Sequence, residues 1–359
     1  MTYLRYSPGV EQPEADEQAT IDNIIQAMTR QSETVETREQ HAVRASHAKS
    51  TACVTGELVI PDDLPEELAQ GLFARSGTYP VAVRFAQGPG ETLGDRVSTH
   101  RGMAIKVFGV EGEAAGASCA HAGLRAGDRA DLPVRHGQGL LRDGSLIGKS
   151  AGLPERAKSA VSSLARNLNK VLNTVGKPSA VADFFGHPFS HPLGDSYFSQ
   201  APMRWGDYIA KVAAFPSSVY QDQLRDWQLD PHADEDGFRH AAVAFFDQHD
   251  VLFDLKVQLR ANAETQPIED ASVEWPAQDS QYRTVATLRL PRQRAYSPER
   301  VRYFDEVMTF RPAHSLAAHR PLGSVMRARL QVYQALSAFR HRENGVAEAN
   351  PVSIEEIPA

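Results

Sequence analysis

The chain has 359 residues, 38 basic and 45 acidic side chains, and a formal net charge of −7. This length fits one large domain or two ordinary ones, and the 42% of hydrophobic residues can bury a sizeable core. The acidic balance argues against a nucleic-acid partner, because phosphate binding requires a basic surface. The two cysteines, Cys53 and Cys119, exclude a disulfide framework and a Cys-x-x-Cys metal pair.

The first 20 residues are polar and acidic, without the basic and then apolar pattern of a signal peptide. No apolar run is long enough to span a bilayer. We therefore expect a cytoplasmic protein with no membrane span.

The first elements follow from the spacing of apolar residues. It predicts a loose arm over 1–13, an amphipathic helix over 14–31 and an extended arm over 32–46. A second helix is expected over 152–175, where Gly176 and Pro178 would stop it. Short alternating runs bounded by Gly, Pro or Asp predict strands at 54–60, 81–85 and 103–110.

The second half of the chain shows further strand-like and helical runs. The order is strands, a helical insertion, strands and then C-terminal helices. This order predicts an α+β fold with a mostly antiparallel sheet that can close into a β-barrel. The predicted strands lie at 208–215, 238–246, 251–259 and 282–290, and the predicted helices at 297–307 and 322–342.

Four motifs, in this order along the chain, carry a family resemblance: Arg44-Ala-Ser-His47-Ala-Lys49, Val83-Arg84-Phe85, Arg101-Gly-Met-Ala-Ile-Lys106 and Pro267-Ile-Glu-Asp-Ala-Ser-Val-Glu-Trp275. Together they resemble the catalase superfamily, and the small, single-domain branch of that family is the better match. The resemblance covers most of 40–110 and 180–345.

The resemblance implies a domain layout and a cofactor. We expect an N-terminal arm and helix over 1–40, a catalase-like haem-binding barrel domain over 41–345 and a C-terminal tail over 346–359. The expected cofactor is haem b, and members of the family commonly form homo-oligomers.

The resemblance also assigns roles to residues of the N-terminal motifs. His47 matches the distal histidine, which takes a proton from peroxide and returns it to the far oxygen. Arg44 and Arg84 match positions that bind haem propionates, since a guanidinium fork pairs well with a carboxylate. Without the surrounding motif, His47 would read as an ordinary core or surface histidine.

Arg329-Leu-Gln-Val-Tyr333 resembles the family signature in which a tyrosine phenolate binds haem iron. On a helix these two side chains are neighbours, so Arg329 can hydrogen-bond the Tyr333 oxygen and favour its ionised form. The alternative is a helix whose tyrosine packs in the core. The sequence departs from the family after the tyrosine, where Gln334-Ala-Leu-Ser-Ala338 replaces a turn like Pro-Asp-Thr.

Two further departures concern the distal side. Ala86 stands where the family usually has a serine that orients the distal histidine. In addition, 114–147 is rich in Ala, Gly, Arg and Asp where the family has a barrel strand.

A shift of the reading frame can explain the unusual composition of 114–147. If codons for His121-Ala-Gly-Leu124 are translated one base later, they can encode Thr-Gln-Asp-Phe, which is what the family has. The segment is therefore either an out-of-frame translation that leaves a barrel strand missing or poorly packed, or a natural insertion. Resequencing of the gene distinguishes the two.

The favoured function is a haem-dependent catalase or peroxidase that uses hydrogen peroxide or an organic peroxide and a small-molecule electron donor. Two alternatives remain open: rearrangement of fatty-acid hydroperoxides, and a non-catalytic barrel that binds haem or an apolar ligand. Four other histidines are interpreted as structural or surface residues: His187, His191, His314 and His319. Two of them, His187 and His191, are four residues apart, but each precedes a proline in a turn-rich stretch that does not predict a metal-binding helix.

Overall fold

An antiparallel sheet of nine strands dominates the computed structural model, which describes residues 2–115, 121–127, 155–174, 186–230 and 234–359. All pairings between these strands are antiparallel. The strands are β1 Ser50–Ile60, β2 Gly77–Gln87, β3 Arg101–Phe108, β4 His121–Gly127, β5 Tyr197–Phe198, β6 Met203–Trp205, β7 Tyr208–Pro216, β8 Val251–Leu259 and β9 Arg283–Leu290.

The sheet closes into a barrel through its shortest strand. The spatial order is β5-β4-β3-β2-β1-β9-β8-β7-β6, and β5 also pairs with β7. Phe198 of β5 lies opposite Gly127 of β4 on one side and Ala213 of β7 on the other. The predicted α+β class with an antiparallel barrel is confirmed.

Side chains fill the barrel interior. On β2, Val81, Val83 and Phe85 are almost completely buried in a core that also holds Trp205 and Phe253. Successive residues of a strand point to opposite faces, so the residues between them, Arg84 included, lie on the outer face of the barrel. A ligand that contacts Arg84 must therefore bind outside the barrel.

Helices pack on each other and on the barrel. The N-terminal helix and the long C-terminal helix pack on each other through Ile21 and Ile24 on one helix and Ala328, Val332 and Leu336 on the other. No helix in the described ranges is long and apolar enough to cross a membrane. The helices are α1 Glu17–Glu39, α2 Glu155–Thr174, α3 Val219–Asp222, α4 Gly237–Phe246, α5 Pro298–Arg302 and α6 Ser324–Asn344, and a π-helical turn, Tyr303–Val307, follows α5.

Two secondary-structure predictions were wrong. The strand expected over 238–246 is helix α4, because its buried residues Phe238, Ala242, Phe245 and Phe246 recur at helical spacing. The extended arm expected from residue 32 is helical up to Glu39, since the buried stripe of α1 continues through Gln31, Ser32 and Val35.

The N-terminal arm is docked onto the barrel and is not loose. Leu4 N donates to Arg260 O at 2.8 Å and Tyr6 N donates to Asp207 O at 2.7 Å. Gln12 N donates to a Glu269 carboxylate oxygen at 2.7 Å. These three bonds fix the arm along the second half of the sheet.

A strand is present within the unusual segment 114–147. Residues 121–127 form β4, which pairs with β3 from Gly102 opposite Gly127 to Phe108 opposite His121. The expectation of a missing strand was therefore wrong. Residues 116–120 and 128–147 lie outside the described residues, and the frame-shift hypothesis remains a prediction for gene resequencing.

Candidate functional site

The candidate site lies on the outer face of β1–β3, where the C-terminal segment crosses the barrel. Cys53, Ala82 and Ala104 of these strands form a buried apolar cluster with Phe304 and Met308. Cross-strand neighbours share a face, and Arg84 lies opposite Cys53 and Ala104 in the two strand pairs. Its guanidinium is therefore enclosed between the barrel wall and the 304–308 segment.

His47 is held by backbone atoms just before β1. Its backbone has φ of 56°, in the left-handed region, and its N–H donates to Gly88 O at 2.9 Å. The ring atom Nδ1 lies 3.1 Å from Gln87 O. A carbonyl oxygen only accepts, so Nδ1 carries the proton and Nε2 carries the lone pair. The Gln87 carbonyl therefore orients the ring, next to Ala86, which has no hydrogen-bonding side chain.

Gly102 creates the space that the His47 ring occupies. A Cβ built on Gly102 would lie 2.6 Å from His47 Cε1 and 2.9 Å from Nδ1, well inside contact distance. The glycine of the Arg-Gly-Met-Ala motif is thus needed for the imidazole to lie flat against β3.

Lys49, the last residue of the first motif, anchors the loop around the site. It is buried, and its Nζ lies 2.8 Å from Asp95 Oδ1 and 2.8 Å from Asp236 Oδ1. Asp95 is fully buried and also accepts from Phe238 N at 2.7 Å. A buried ammonium requires such paired partners, so Lys49 has a structural role.

Arg84 and Arg44 both bind the segment that follows α5. Arg84 Nε donates to Asp305 Oδ1 at 2.6 Å, and its Nη2 donates to His47 O at 2.6 Å. Arg44 Nη2 donates to Phe304 O at 2.6 Å and to Met308 O at 2.8 Å. The two arginines predicted for propionate binding therefore lie together, beside His47, with Asp305 as the carboxylate on Arg84.

Arg329 and Tyr333 pair on α6 as their spacing predicts. Arg329 Nη2 donates to Tyr333 Oη at 2.9 Å, and the guanidinium carbon lies 5.2 Å from the tyrosine ring centre. Both side chains are partly exposed, so the tyrosine is not a core residue. A phenol oxygen that accepts from a cation is stabilised as the anion.

Two residues on the same face of α6 were not anticipated from the sequence. Ser337 and Arg340 follow Tyr333 by four and seven residues, and both are buried. Within the described part of the chain, Ser337 Oγ and Arg340 Nε have no hydrogen-bond partner. Their spacing from Tyr333 was the available signal, because positions four and seven residues apart share a helix face.

The charge of Arg340 links α6 to the barrel wall. Burial lowers the pKa of its guanidinium to about 10, while the Asp305 carboxylate raises it and the Arg84 cation lowers it. Helix α6 also contacts the π-helical turn that carries Asp305. Ala45, next to Arg44, also packs against the α1–α6 cluster. The N-terminal and C-terminal parts of the predicted site therefore lie next to each other.

His191 and His319 have the structural roles predicted for them. His191 Nδ1 accepts from Leu193 N at 3.1 Å, and His319 Nε2 accepts from Leu72 N at 3.0 Å. Burial lowers the pKa of each to about 4. Among the described residues, no group of three His, Cys, Asp or Glu side chains could hold a metal ion.

We expect His319→Gln to reduce the acid sensitivity of the fold. The unfolded histidine takes up a proton near its ordinary pKa of 6.5, whereas the buried one resists protonation until about 4. Between these values the unfolded state binds more protons, so stability falls as pH falls. Urea unfolding midpoints across this window should decline less steeply for His319→Gln than for the wild type. The surface variant His240→Gln is the control, and equal slopes for all three proteins would contradict the assignment.

The whole chain was compared with known proteins. No protein-family model and no curated protein sequence matches it. It is similar in structure to a fungal catalase, with a TM-score of 0.61, 16% identity and coverage of 95% of this chain and 66% of that one. It is also similar to catalase A from Saccharomyces cerevisiae, with a TM-score of 0.61, 14% identity and coverage of 95% of this chain and 68% of that one.

A bacterial catalase gives a TM-score of 0.57 at 16% identity, with 94% of this chain and 63% of that chain covered. The chain thus spans about two thirds of the length of the catalases it matches. Identities this low carry information on the fold and not on activity. The barrel, its helical insertion and these similarities together show that the chain has a catalase-like fold.

Proposed function

We propose that the chain binds haem b between the outer face of β1–β3 and helix α6, and uses it to consume hydrogen peroxide or an organic peroxide. One observation carries this proposal: Arg84 donates to both His47 O and Asp305, Arg44 donates to the backbone of the 304–308 segment, and helix α6 contacts the same segment. The catalase-like fold supports it further.

The residues present fit a flat ring that carries two carboxylates. Ala86, Gly102 and Ala104 lie on one face of β2 and β3, and their small side chains leave room for the His47 ring and for the segment that carries Phe304 and Met308. Ser337 Oγ and Arg340 Nε are buried polar atoms that, among the described residues, have no hydrogen-bond partner in the haem-free chain. Buried polar groups are normally satisfied, so each of these atoms can form a hydrogen bond with a polar ligand or a water molecule.

The charges also fit. Arg44 and Arg84 both bind the 304–308 segment, and α6, which carries Arg340, contacts the turn that holds Asp305. Arginine is well suited to bind the two propionates, because a guanidinium group pairs with a carboxylate. Arg44, Arg84 and Arg340 would therefore hold the propionates, and Tyr333 would ligate the iron.

When bound, haem supplies the redox centre at which the peroxide O–O bond is cleaved. The chain supplies the proton transfers. The Nε2 atom of His47, which carries the lone pair, accepts a proton from the peroxide and returns it to the departing oxygen. The Gln87 carbonyl keeps the ring in the required tautomer throughout, because its bond to Nδ1 fixes the proton there. Arg329 stabilises the Tyr333 oxygen as an anion.

A direct test uses the full chain reconstituted with hemin. Release of oxygen on addition of hydrogen peroxide would identify dismutation, and oxidation of a phenolic dye only with peroxide present would identify a peroxidase. We expect at least one of these activities. If the haem-loaded chain does neither with hydrogen peroxide or an organic hydroperoxide, the proposed activity is wrong and a binding role remains.

We expect Gly102→Ala to lower peroxide turnover about tenfold, since a small misplacement of a catalytic group has effects of this size or larger. The added methyl group would lie 2.6 Å from His47 Cε1, so the ring must move. Gly9→Ala is the control, because a Cβ at Gly9 meets no atom within 4 Å. Steady-state turnover at equal haem content measures the effect, and unchanged turnover in Gly102→Ala would rule out this role for the glycine.

A further inference from the structure

A second imidazole lies beside His47. The ring centres of His47 and His100 are 5.5 Å apart, and the two rings are inclined by 78°, an edge-to-face arrangement. Aromatic rings at this distance and angle attract each other and restrict each other's orientation. His100 has no part in the proton transfers proposed above.

The local fold is built to bring these two rings together. His100 lies two residues before Gly102 and directly before the first residue of β3. A Cβ on Gly88 would lie 2.7 Å from His100 Nδ1, just as a Cβ on Gly102 would overlap the His47 ring. Each imidazole therefore rests on a glycine, and a larger residue at either position would separate them.

Backbone hydrogen bonds connect the three segments involved. Gly88 N donates to His100 O at 2.8 Å, and His47 N donates to Gly88 O at 2.9 Å. The position of His100 is thus coupled to that of His47 through a single glycine. This coupling fixes the contact between the rings even though His100 precedes the first residue of β3.

The contact between His47 and His100 lies close to Ala86, whose side chain cannot form a hydrogen bond with His47. Ala86 is the cross-strand neighbour of Gly102 and has no hydroxyl to offer. The bond from Nδ1 to the Gln87 carbonyl fixes the tautomer, but this bond by itself does not prevent the ring from tilting about the line that joins the two atoms. A ring edge packed against the imidazole restricts this tilt.

We propose that His100 is a positioning residue that keeps His47 in the orientation needed for proton transfer, by edge-to-face packing. The inference rests on the proposed function for its effect on turnover, although the packing itself does not depend on haem. Because the contribution is packing and not a proton, an aromatic side chain without nitrogen should replace it.

The test compares His100→Leu and His100→Phe with the wild type. We expect His100→Leu to lower kcat about tenfold, with KM for peroxide and hemin affinity unchanged, in line with the size of edge-to-face contacts and of orientation effects. The kcat of His100→Phe should stay within about twofold of the wild-type value, because the phenyl ring keeps the edge-to-face contact. His100→Ala serves as a second truncation, so the comparison does not depend on one variant folding.

A second measurement is made on the haem-free chain labelled with ¹⁵N-histidine. The Nδ1–H proton of His47, assigned by its absence in His47→Ala, should give a slowly exchanging signal in the wild type and in His100→Phe. It should exchange faster in His100→Leu and His100→Ala.

Two results would overturn the inference: a His47 signal that is equally protected in all variants, or a His100→Phe variant that behaves like His100→Leu. If the wild type consumes no peroxide but the protection pattern is as expected, the proposed function fails and the positioning role of His100 stands. The two failures are therefore distinguishable.

Discussion

Replacing His47 with alanine is expected to lower peroxide turnover by about three orders of magnitude, within the range found for general acid–base groups. His47 is the residue whose Nε2 can exchange a proton with the peroxide, because its Nδ1 proton is committed to the Gln87 carbonyl. Haem binding should change little, since the groups proposed to hold the ring lie on other side chains. The measurement is steady-state turnover, normalised to haem content from the absorbance spectrum.

His41→Ala is the matched control for this variant. His41 lies six residues upstream on the same arm, is partly exposed, and lies 3.1 Å from a Glu306 carboxylate oxygen. The His41→Ala substitution removes an imidazole from the same region, but not the imidazole that lies against Gly102. We expect turnover to stay close to that of the wild type. If His47→Ala and His41→Ala were equally active, His47 would have no role in the proton transfers.

The second large effect is expected at Tyr333. Tyr333→Phe removes the only atom of that side chain that can ligate iron, so hemin should bind at least about 100-fold more weakly, or bind with a shifted absorbance band. Arg329→Leu should weaken binding about tenfold, as is usual when the hydrogen-bond partner of a metal ligand is lost. Both values come from titration of the haem-free protein with hemin.

Two controls complete the Tyr333 experiment. Tyr220→Phe removes a phenol oxygen from a half-exposed tyrosine elsewhere on the surface and should leave hemin binding unchanged. A circular dichroism melt of each variant establishes that the fold is intact. An unaltered spectrum and affinity in Tyr333→Phe would mean that the axial ligand is a different residue.

The order of hydrophobic patterns was sufficient to predict the class of fold. Strands β1–β3 and β7–β9 were expected close to their observed bounds, because alternation of apolar residues marks a strand with one face in the core. Helix α4 was mistaken for a strand, since its sequence, rich in apolar and small residues, contains both periods. The packing of the segment against the barrel determines whether it forms a helix or a strand.

The part of the candidate site that is formed by side chains of the sequence motifs was predictable. The Arg329–Tyr333 pair follows from helix geometry and is found as expected. Three features depend on tertiary contacts and could not be foreseen: the Gln87 carbonyl on the His47 ring, the Asp305 carboxylate on Arg84, and the contact of α6 with the turn that carries Asp305. Backbone acceptors and partners more than 200 residues away in sequence leave no local pattern.

The position of the site outside the barrel also required the structure. Alternation on β2 predicts that Arg84 faces away from Val83 and Phe85, but it does not say which face is the interior. The structure shows Val83 and Phe85 in the barrel core and Arg84 against the 304–308 segment. The C-terminal third of the chain therefore completes a site that begins in the N-terminal motifs.

The most direct test of the account is titration of the purified, haem-free full chain with hemin, followed by absorbance. We predict a sharp Soret band that saturates at one hemin per chain, and weaker binding in the Tyr333→Phe variant. A chain that stays colourless and produces no saturable band with added hemin would contradict the account.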